Sequence, residues 1–200
     1  RLTELQEIIS VNLLAAMELS RLLLPSMLRQ GNGHIVNIAS TAAKKGHPFD
    51  SAYSASKAGL LMWNDALRQE LQGSGVAVSA ICPGYVEQCG MMVDTSIHAP
   101  RWAGATTPEK VAQATVTAIA RNQPEVIISK DAFSALINKA LFASWQFFPQ
   151  WGDAIYRTIG IPQLNQQRIT AQRATAEKES SLPQTQSLQA QLPQTQEVTP

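Results

Sequence analysis

The sequence is poor in the features that mark several functional classes. It has two cysteines, Cys82 and Cys89, and Cys82 lies in an apolar segment, which favours free thiols in a reducing compartment such as the cytoplasm over a disulfide scaffold. Its three histidines are scattered, so no metal site is predicted. The net charge of +1 gives no support for nucleic acid binding. No uninterrupted apolar run reaches the roughly 18–20 residues of a membrane span.

A glycine-rich phosphate-binding turn after a first strand is also absent. A dinucleotide-binding fold needs such a turn, because backbone N–H groups at a helix N-terminus hold the pyrophosphate. The chain opens instead inside a predicted amphipathic helix over residues 3–30. That helix is predicted from an apolar stripe at helical spacing, made of Leu5, Ile8, Ile9, Asn12, Ala16, Leu19, Leu23 and Met27.

The rest of residues 1–130 alternates between strands and helices. Strands are predicted at 34–39, Val76–Cys82 and 125–129, with helices at 50–72 and 107–122 between them. This order predicts a right-handed parallel crossover and an α/β fold with a Rossmann-like doubly wound parallel sheet. Ser40 and the Pro83-Gly84 turn each follow a strand, so both are expected at the carboxyl edge, where ligands bind in such sheets.

Tyr53 and Lys57 stand four residues apart on the predicted helix 50–72, which puts both side chains on one face, roughly 6 Å apart along the axis. A lysine ammonium so close favours the phenolate, so Tyr53 is expected to have a lowered pKa and to exchange a proton near neutral pH. Ser40 could hold the oxygen of a carbonyl group. Taken alone, the pair is also compatible with a solvated helix face, and Asn12 with a satisfied amide in the core.

These segments resemble the classical short-chain dehydrogenases/reductases. The matching stretches are Val11-Asn12-Leu13, His34 to Ser40, Tyr53-Ser54-Ala55-Ser56-Lys57-Ala58-Gly59 and Ile81 to Val86. The resemblance implies that Tyr53 is the general acid/base, Ser40 orients the substrate oxygen, Lys57 binds the nicotinamide ribose and acidifies Tyr53, and Asn12 holds a water in the proton relay. It also implies that Pro83, Gly84 and the backbone near Val86 pack on the nicotinamide end of NAD or NADP.

Two departures from the family pattern stand out. The first third of the family fold, with the phosphate loop and the residue that selects NAD or NADP, has no counterpart here, so we interpret the chain as a fragment that is inactive alone. The family often has threonine four residues after the glycine of the Pro-Gly turn, where this chain has Gln88. Glutamine still donates and accepts hydrogen bonds.

The C-terminal part differs in composition from the rest. Residues 131–162 are predicted to form an apolar helical extension, which either packs on the domain or contacts a membrane surface or lipid-like substrate. Residues 163–200 are rich in glutamine, threonine, serine and proline, and they repeat Leu-Pro-Gln-Thr-Gln. Such a segment buries little apolar surface, so it is predicted to be a disordered tail.

The sequence therefore favours an NAD(P)-dependent oxidoreductase that interconverts a carbonyl and an alcohol on an apolar or lipid-like small molecule. The alternative is a non-catalytic Rossmann-like dinucleotide sensor or scaffold. The resemblance further implies a homo-oligomer formed through helices 3–30 and 50–72. We expect a cytoplasmic protein, with peripheral membrane contact as a second option.

Overall fold

The computed structural model describes residues 1–87, 106–128 and 132–180. Predicted features at Gln88, at Cys89 and in the rest of 88–105, as well as residues 181–200 of the predicted tail, lie outside these ranges. The elements, in chain order, are α1 (Leu2–Ile9), a π-helical turn (Ser10–Leu14), α2 (Ala15–Gln30), β1 (Gly33–Ile38), a 3-10 turn (Thr41–Ala43), α3 (Ser51–Glu70), β2 (Val76–Cys82), α4 (Pro108–Ala120), β3 (Glu125–Ile127), α5 (Ala132–Phe147), α6 (Pro149–Thr158) and α7 (Ile161–Ser180).

Three parallel strands in the order β1-β2-β3 form the centre of the fold. Ile35 pairs with Val78, and Ile81 pairs with Val126. The parallel sheet and the Rossmann-like class are thus confirmed. β2 has the predicted bounds, whereas β3 ends at Ile127, two residues earlier than predicted.

Side chains alternate between the two faces of the sheet, and each face carries a helical layer. On one face Ile35, Val76 and Val78 pack against Leu67 of α3 and Leu71, which directly follows that helix. On the other face lies a second cluster, formed by Ile81, Ala118 and Ile128 with Val36, Val111, Ala114 and Val126, which includes α4. Helices on both faces bury the sheet, as a parallel sheet requires.

The buried face of the first helical segment departs from the predicted stripe. Leu19 and Leu23 were predicted to face the core but are 60% and 55% exposed, whereas Ser20 is buried and Leu24 packs on the core one residue later. The π-helical turn at Ser10–Leu14 explains the shift, because a π turn contains an additional residue and moves the following side chains around the axis.

By length and composition, the helical stretch Leu2–Gln30 could also cross a membrane, contrary to the sequence reading, which considered only uninterrupted apolar runs. Glu18 and Arg21 interrupt such a run but leave the average over the helix apolar. In the structure, the stretch packs against α3 and β1 as one helical layer of the α/β fold.

The prediction of a disordered tail from residue 163 is wrong over 163–180, where the chain forms most of α7. Composition suggested solvated side chains, but the helix buries Ile161, Leu164, Asn165 and Arg168 against the body of the protein. Tertiary packing at a few inward-facing positions therefore orders a segment whose average composition is polar.

Candidate active site

The segment around Ser40 is fixed at the carboxyl edge of the sheet by backbone hydrogen bonds to the end of β2. The amide of Ala39 donates to the carbonyl of Ile81 at 2.7 Å, and the amide of Thr41 donates to the carbonyl of Pro83 at 2.9 Å. Ser40 is 6% exposed, and its Oγ accepts a 3.1 Å hydrogen bond from the amide of Ala42. The two strand ends therefore converge on one edge, as predicted from their order.

Helix α3 begins beside this edge and carries Tyr53 and Lys57 in its first two turns. Lys57 Nζ lies 5.8 Å from the centroid of the Tyr53 ring and donates a 2.9 Å hydrogen bond to the carbonyl oxygen of Ile38. The four-residue spacing thus brings both side chains to the end of β1.

A cavity of about 680 Å³ opens at this edge. Ser40, Tyr53 and Lys57 line it together with Pro83, Gly84 and Val86, so it contains six of the seven predicted site residues. Apolar side chains of α4 form another part of its lining, namely Val111, Ala112 and Val116.

Asn12, the seventh predicted residue, lies next to this cavity and not in it. It lies in the π-helical turn and lines a second cavity of about 430 Å³, which also reaches Tyr53. Asn12 Nδ2 donates to Ser56 Oγ at 3.2 Å, and Ser56 Oγ donates to the carbonyl of Tyr53 at 2.7 Å. Asn12 is therefore linked to the backbone of Tyr53 through Ser56.

The electrostatics of the Tyr-Lys pair differ from the sequence prediction. Burial raises the pKa of Tyr53 above its usual value, and a hydrogen bond with Ser40 only partly opposes that rise. Burial also lowers the pKa of Lys57. The expected lowering of the Tyr53 pKa by Lys57 is thus wrong, because desolvation of the phenolate outweighs the opposing interactions.

The residues that line the cavity and that sequence reasoning missed include His47, Asp50, Tyr85 and Arg168. The His47 ring stacks on Tyr85 with centroids 6.2 Å apart, and burial lowers the pKa of His47 to about 4. Asp50 was considered only as a helix cap, and Arg168 fell within the predicted tail. The helical spacing of Ile161, Leu164 and Arg168 was the one sequence signal that could have indicated a packed helix carrying Arg168.

Cys82 is fully buried beneath this edge as a free thiol, and burial raises its pKa to about 12. Such a thiol is a packing residue and not a nucleophile. Within the described parts of the chain, no group of three or more His, Cys, Asp or Glu side chains is placed to hold a metal ion.

A parallel sheet between two helical layers, with polar side chains beyond its carboxyl edge, defines a Rossmann-like α/β protein. Comparison with known proteins refines this class. The family model described as "short chain dehydrogenase" matches residues 1–98. The ketoacyl reductase HetN of Nostoc sp. is 54% identical over 167 residues, which cover 84% of this chain and 58% of that protein. The chain belongs to the short-chain dehydrogenase/reductase family.

Solved structures agree with this fold. An acetoin dehydrogenase from Enterobacter cloacae matches with a TM-score of 0.56 and 22% identity, covering 68% of this chain and 57% of that one. A 4-hydroxyisoleucine dehydrogenase complexed with NADH and succinate matches with a TM-score of 0.52 and 26% identity, covering 62% and 57%. The chain thus spans little more than half the length of each of these three relatives.

Proposed function

We propose that the protein is an NAD(P)-dependent oxidoreductase that interconverts a carbonyl and an alcohol, with Tyr53 as the general acid/base. The observation that carries this proposal is the convergence of Ser40, Tyr53 and Lys57 on one cavity at the carboxyl edge of a parallel sheet. Membership of the short-chain dehydrogenase/reductase family supports the same reaction class.

The residues present fit the nicotinamide end of a dinucleotide. Pro83, Gly84 and Val86 line the cavity, and a side chain at Gly84 would meet only Thr41 Oγ1, at 4.0 Å, so the backbone is open to a flat ring. Lys57 offers an ammonium donor beside them. The similar 4-hydroxyisoleucine dehydrogenase structure contains NADH. We therefore propose NAD or NADP as the cofactor.

When bound, the reduced nicotinamide supplies a hydride to the carbonyl carbon. Ser40 donates a hydrogen bond to the carbonyl oxygen and holds it beside Tyr53. The raised pKa of Tyr53 keeps the phenol protonated at neutral pH, so it transfers its proton to that oxygen as the alcohol forms. Lys57 stabilises the phenolate that remains, and Asn12 supports the return of a proton from solvent.

The lining of the cavity and the similarity to a ketoacyl reductase favour an apolar acyl or ketone substrate. The test is oxidation of NADPH and NADH by the full-length protein that carries this chain, with acetoacetyl thioesters, apolar ketones and aldehydes as substrates. Tyr53→Phe is compared with Tyr156→Phe, which removes the same hydroxyl from a tyrosine that does not line the cavity.

We expect Tyr53→Phe to lower kcat by about 10²–10⁴-fold, the usual contribution of a positioned acid/base, while Tyr156→Phe retains activity. Equal activity in both variants would reject Tyr53 as the acid/base. A folded wild-type protein that binds NAD(P)H but reduces none of these carbonyls would favour the sensor or scaffold alternative.

Two further proposals concern partners. Exposed apolar side chains on α2 and α3, including Leu19, Leu22 and Met62, support a homo-oligomer through α1–α2 and α3. Light scattering of wild type and Met62→Glu tests this, and a monomer in both would reject it.

The exposed aromatic side chains of α5, α6 and the link between them support a peripheral membrane contact by an otherwise cytoplasmic protein. Phe147 and Trp151 are 79% and 59% exposed, whereas Trp145 on the same helix as Phe147 is buried. Co-sedimentation with phosphatidylglycerol vesicles should weaken in Phe147→Ser, and wild-type protein that stays in the supernatant would reject the contact.

A further inference from the structure

Helix α7 contacts two of the chain segments that border the catalytic cavity, the loop before α3 and the segment after β2. Arg168 donates from Nη2 to Asp50 Oδ2, in the loop before α3. Asn165 accepts a 3.3 Å hydrogen bond from the hydroxyl of Tyr85, which follows the Pro83-Gly84 turn. Asn165 and Arg168 are three residues apart and so share one face of the helix. One helical face therefore spans the two sides of the cavity.

The side chain of Asp50 pairs with Arg168 and does not cap the helix that it precedes. Asp50 is the N-cap residue of α3, but its side chain makes no capping hydrogen bond to that helix. Its carboxylate pairs with Arg168 instead, and the two side chains are only 10% and 4% exposed. Because a buried charge is costly without its partner, the pair constrains the start of α3 wherever the fold is intact.

The loop between the 3-10 turn and α3 has little freedom to compensate for loss of this pair. Phe49 has a φ of 65°, a left-handed conformation that a bulky residue adopts only when its surroundings impose it. The amide of His47 donates to Ser54 Oγ at 2.9 Å, and the amide of Asp50 donates to the carbonyl of His47 at 3.2 Å. Movement of Asp50 would therefore be transmitted to the first turn of α3, which contains Tyr53.

The same pair separates two cavities. Asp50, Tyr53 and Arg168 line both the catalytic cavity and the neighbouring cavity that contains Asn12. Replacing the Arg168 side chain by a shorter one would open a passage between them beside the Tyr53 ring. The position of Arg168 thus affects both the placement of Tyr53 and the enclosure of the space next to it.

We propose that Arg168 of α7 is a positioning residue, which through Asp50 holds the first turn of α3 and keeps the Tyr53 hydroxyl at the catalytic cavity. It acts through Asp50 and Tyr53 and takes no part in proton transfer. Residue 168 lies outside the span matched by the family model, so this role is assigned from the geometry of this chain. The kinetic part of the proposal rests on the proposed function.

The test compares Arg168→Gln, Arg168→Lys and the double variant Asp50→Asn/Arg168→Gln in the full-length protein. Arg68→Gln is the matched control, because Arg68 pairs with Asp65 at the other end of the same helix, with its side chain 40% exposed. Hydrogen exchange of the amides of residues 50–57 is measured first, since it does not depend on any substrate.

We expect Arg168→Gln to accelerate exchange across residues 50–57 by about tenfold or more, while Arg168→Lys retains most of the protection and Arg68→Gln matches wild type. The double variant separates local positioning from global stability. It removes both charges of the Asp50–Arg168 pair, so its unfolding midpoint should recover towards wild type, whereas exchange at the start of α3 stays fast.

In the activity assay, Arg168→Gln should lower kcat by a larger factor than it raises the KM for NAD(P)H, because Tyr53 is displaced whereas Pro83, Gly84 and Val86 stay in place. Unchanged exchange at residues 50–57 in Arg168→Gln would overturn the proposal even in an active enzyme. If exchange is fast in Arg168→Gln but the wild-type protein reduces no carbonyl, the result would support the positioning role of Arg168 and would count only against the proposed function. If Arg168→Gln fails to fold, Arg168→Lys and the double variant provide the same comparison.

Discussion

Lys57 Nζ lies one helical turn from Tyr53, 5.8 Å from the centroid of its ring, and donates its hydrogen bond to the end of β1. The acceptor is the carbonyl oxygen of Ile38, at 2.9 Å. Lys57 therefore ties α3 to the sheet as well as facing the phenol. Burial disfavours the charged form of Lys57 and so lowers its pKa. The hydrogen bond to Ile38 therefore helps to stabilise the ammonium in this position.

Lys57→Met should reduce activity, because it removes both the donor beside Tyr53 and the bond to Ile38. A hydrogen bond from a charged donor contributes about 1.5–3 kcal/mol, so kcat/KM should fall by about 10- to 100-fold. Steady-state reduction kinetics measure this, with Lys110→Met on the exposed side of α4 as the control. A Lys57→Met enzyme as active as Lys110→Met would contradict the assigned role.

Ser40→Ala should move the pH dependence of alcohol oxidation to higher pH. Oxidation needs Tyr53 as phenolate, and the hydrogen bond from Ser40 lowers the pKa of Tyr53 against the larger effect of burial. Removing that bond raises the pKa further, so the ascending limb of kcat/KM, where activity increases with pH, should shift to higher pH. A pH profile of Ser40→Ala beside Ser144→Ala tests this, and superimposed limbs would show that Ser40 does not act on Tyr53.

His47 should make the protein less stable in mild acid. Burial lowers its pKa to about 4, and the nearby charges of Asp50 and Arg168 oppose each other. Since the folded protein disfavours the imidazolium, the stability is fully present above pH of about 6.5 and is lost as the pH falls towards 4, by roughly 3 kcal/mol at most. Chemical denaturation at several pH values should show a flatter dependence in His47→Gln than in wild type. If the free energy of unfolding of both proteins fell equally with decreasing pH, groups other than His47 would cause the loss of stability in acid.

Gly75→Ala should destabilise the protein more than Gly73→Ala. Both glycines have φ near 80°, so alanine is strained at either position. A Cβ at Gly75 would lie 2.0 Å from the carbonyl oxygen of Gly31, whereas nothing lies within 4 Å of one at Gly73. The difference in free energy of unfolding should be about 1–3 kcal/mol, the cost of moving packed atoms apart. If both variants lost the same free energy of unfolding, the backbone at Gly31 would be able to move away from the added Cβ without a measurable cost.

Much of the candidate site at the carboxyl edge of the sheet could be predicted because its signals are local. A strand that ends at Ser40, a strand that ends at Pro83 and a helix with Tyr53 and Lys57 determine their own neighbourhood through the parallel crossover. The pKa of Tyr53 could not be predicted from spacing, since it depends on burial by residues distant in sequence. Arg168 was missed for the same reason. Its partner Asp50 lies 118 positions away, and a polar composition gives no sign of such a contact.

The π-helical turn at Ser10–Leu14 makes the first helix sensitive to chain length. Each residue advances a helix by about 100°, and the turn accommodates one additional residue between the packed faces on either side of it. Deleting one residue of α2 between the turn and Leu24 would rotate Asn12 by about that angle relative to the packed face of α2, so either Asn12 would lose Ser56 or that face would lose its packing on the sheet. A single-residue deletion in α2 would therefore uncouple the amide from the core, even though no functional side chain had been substituted.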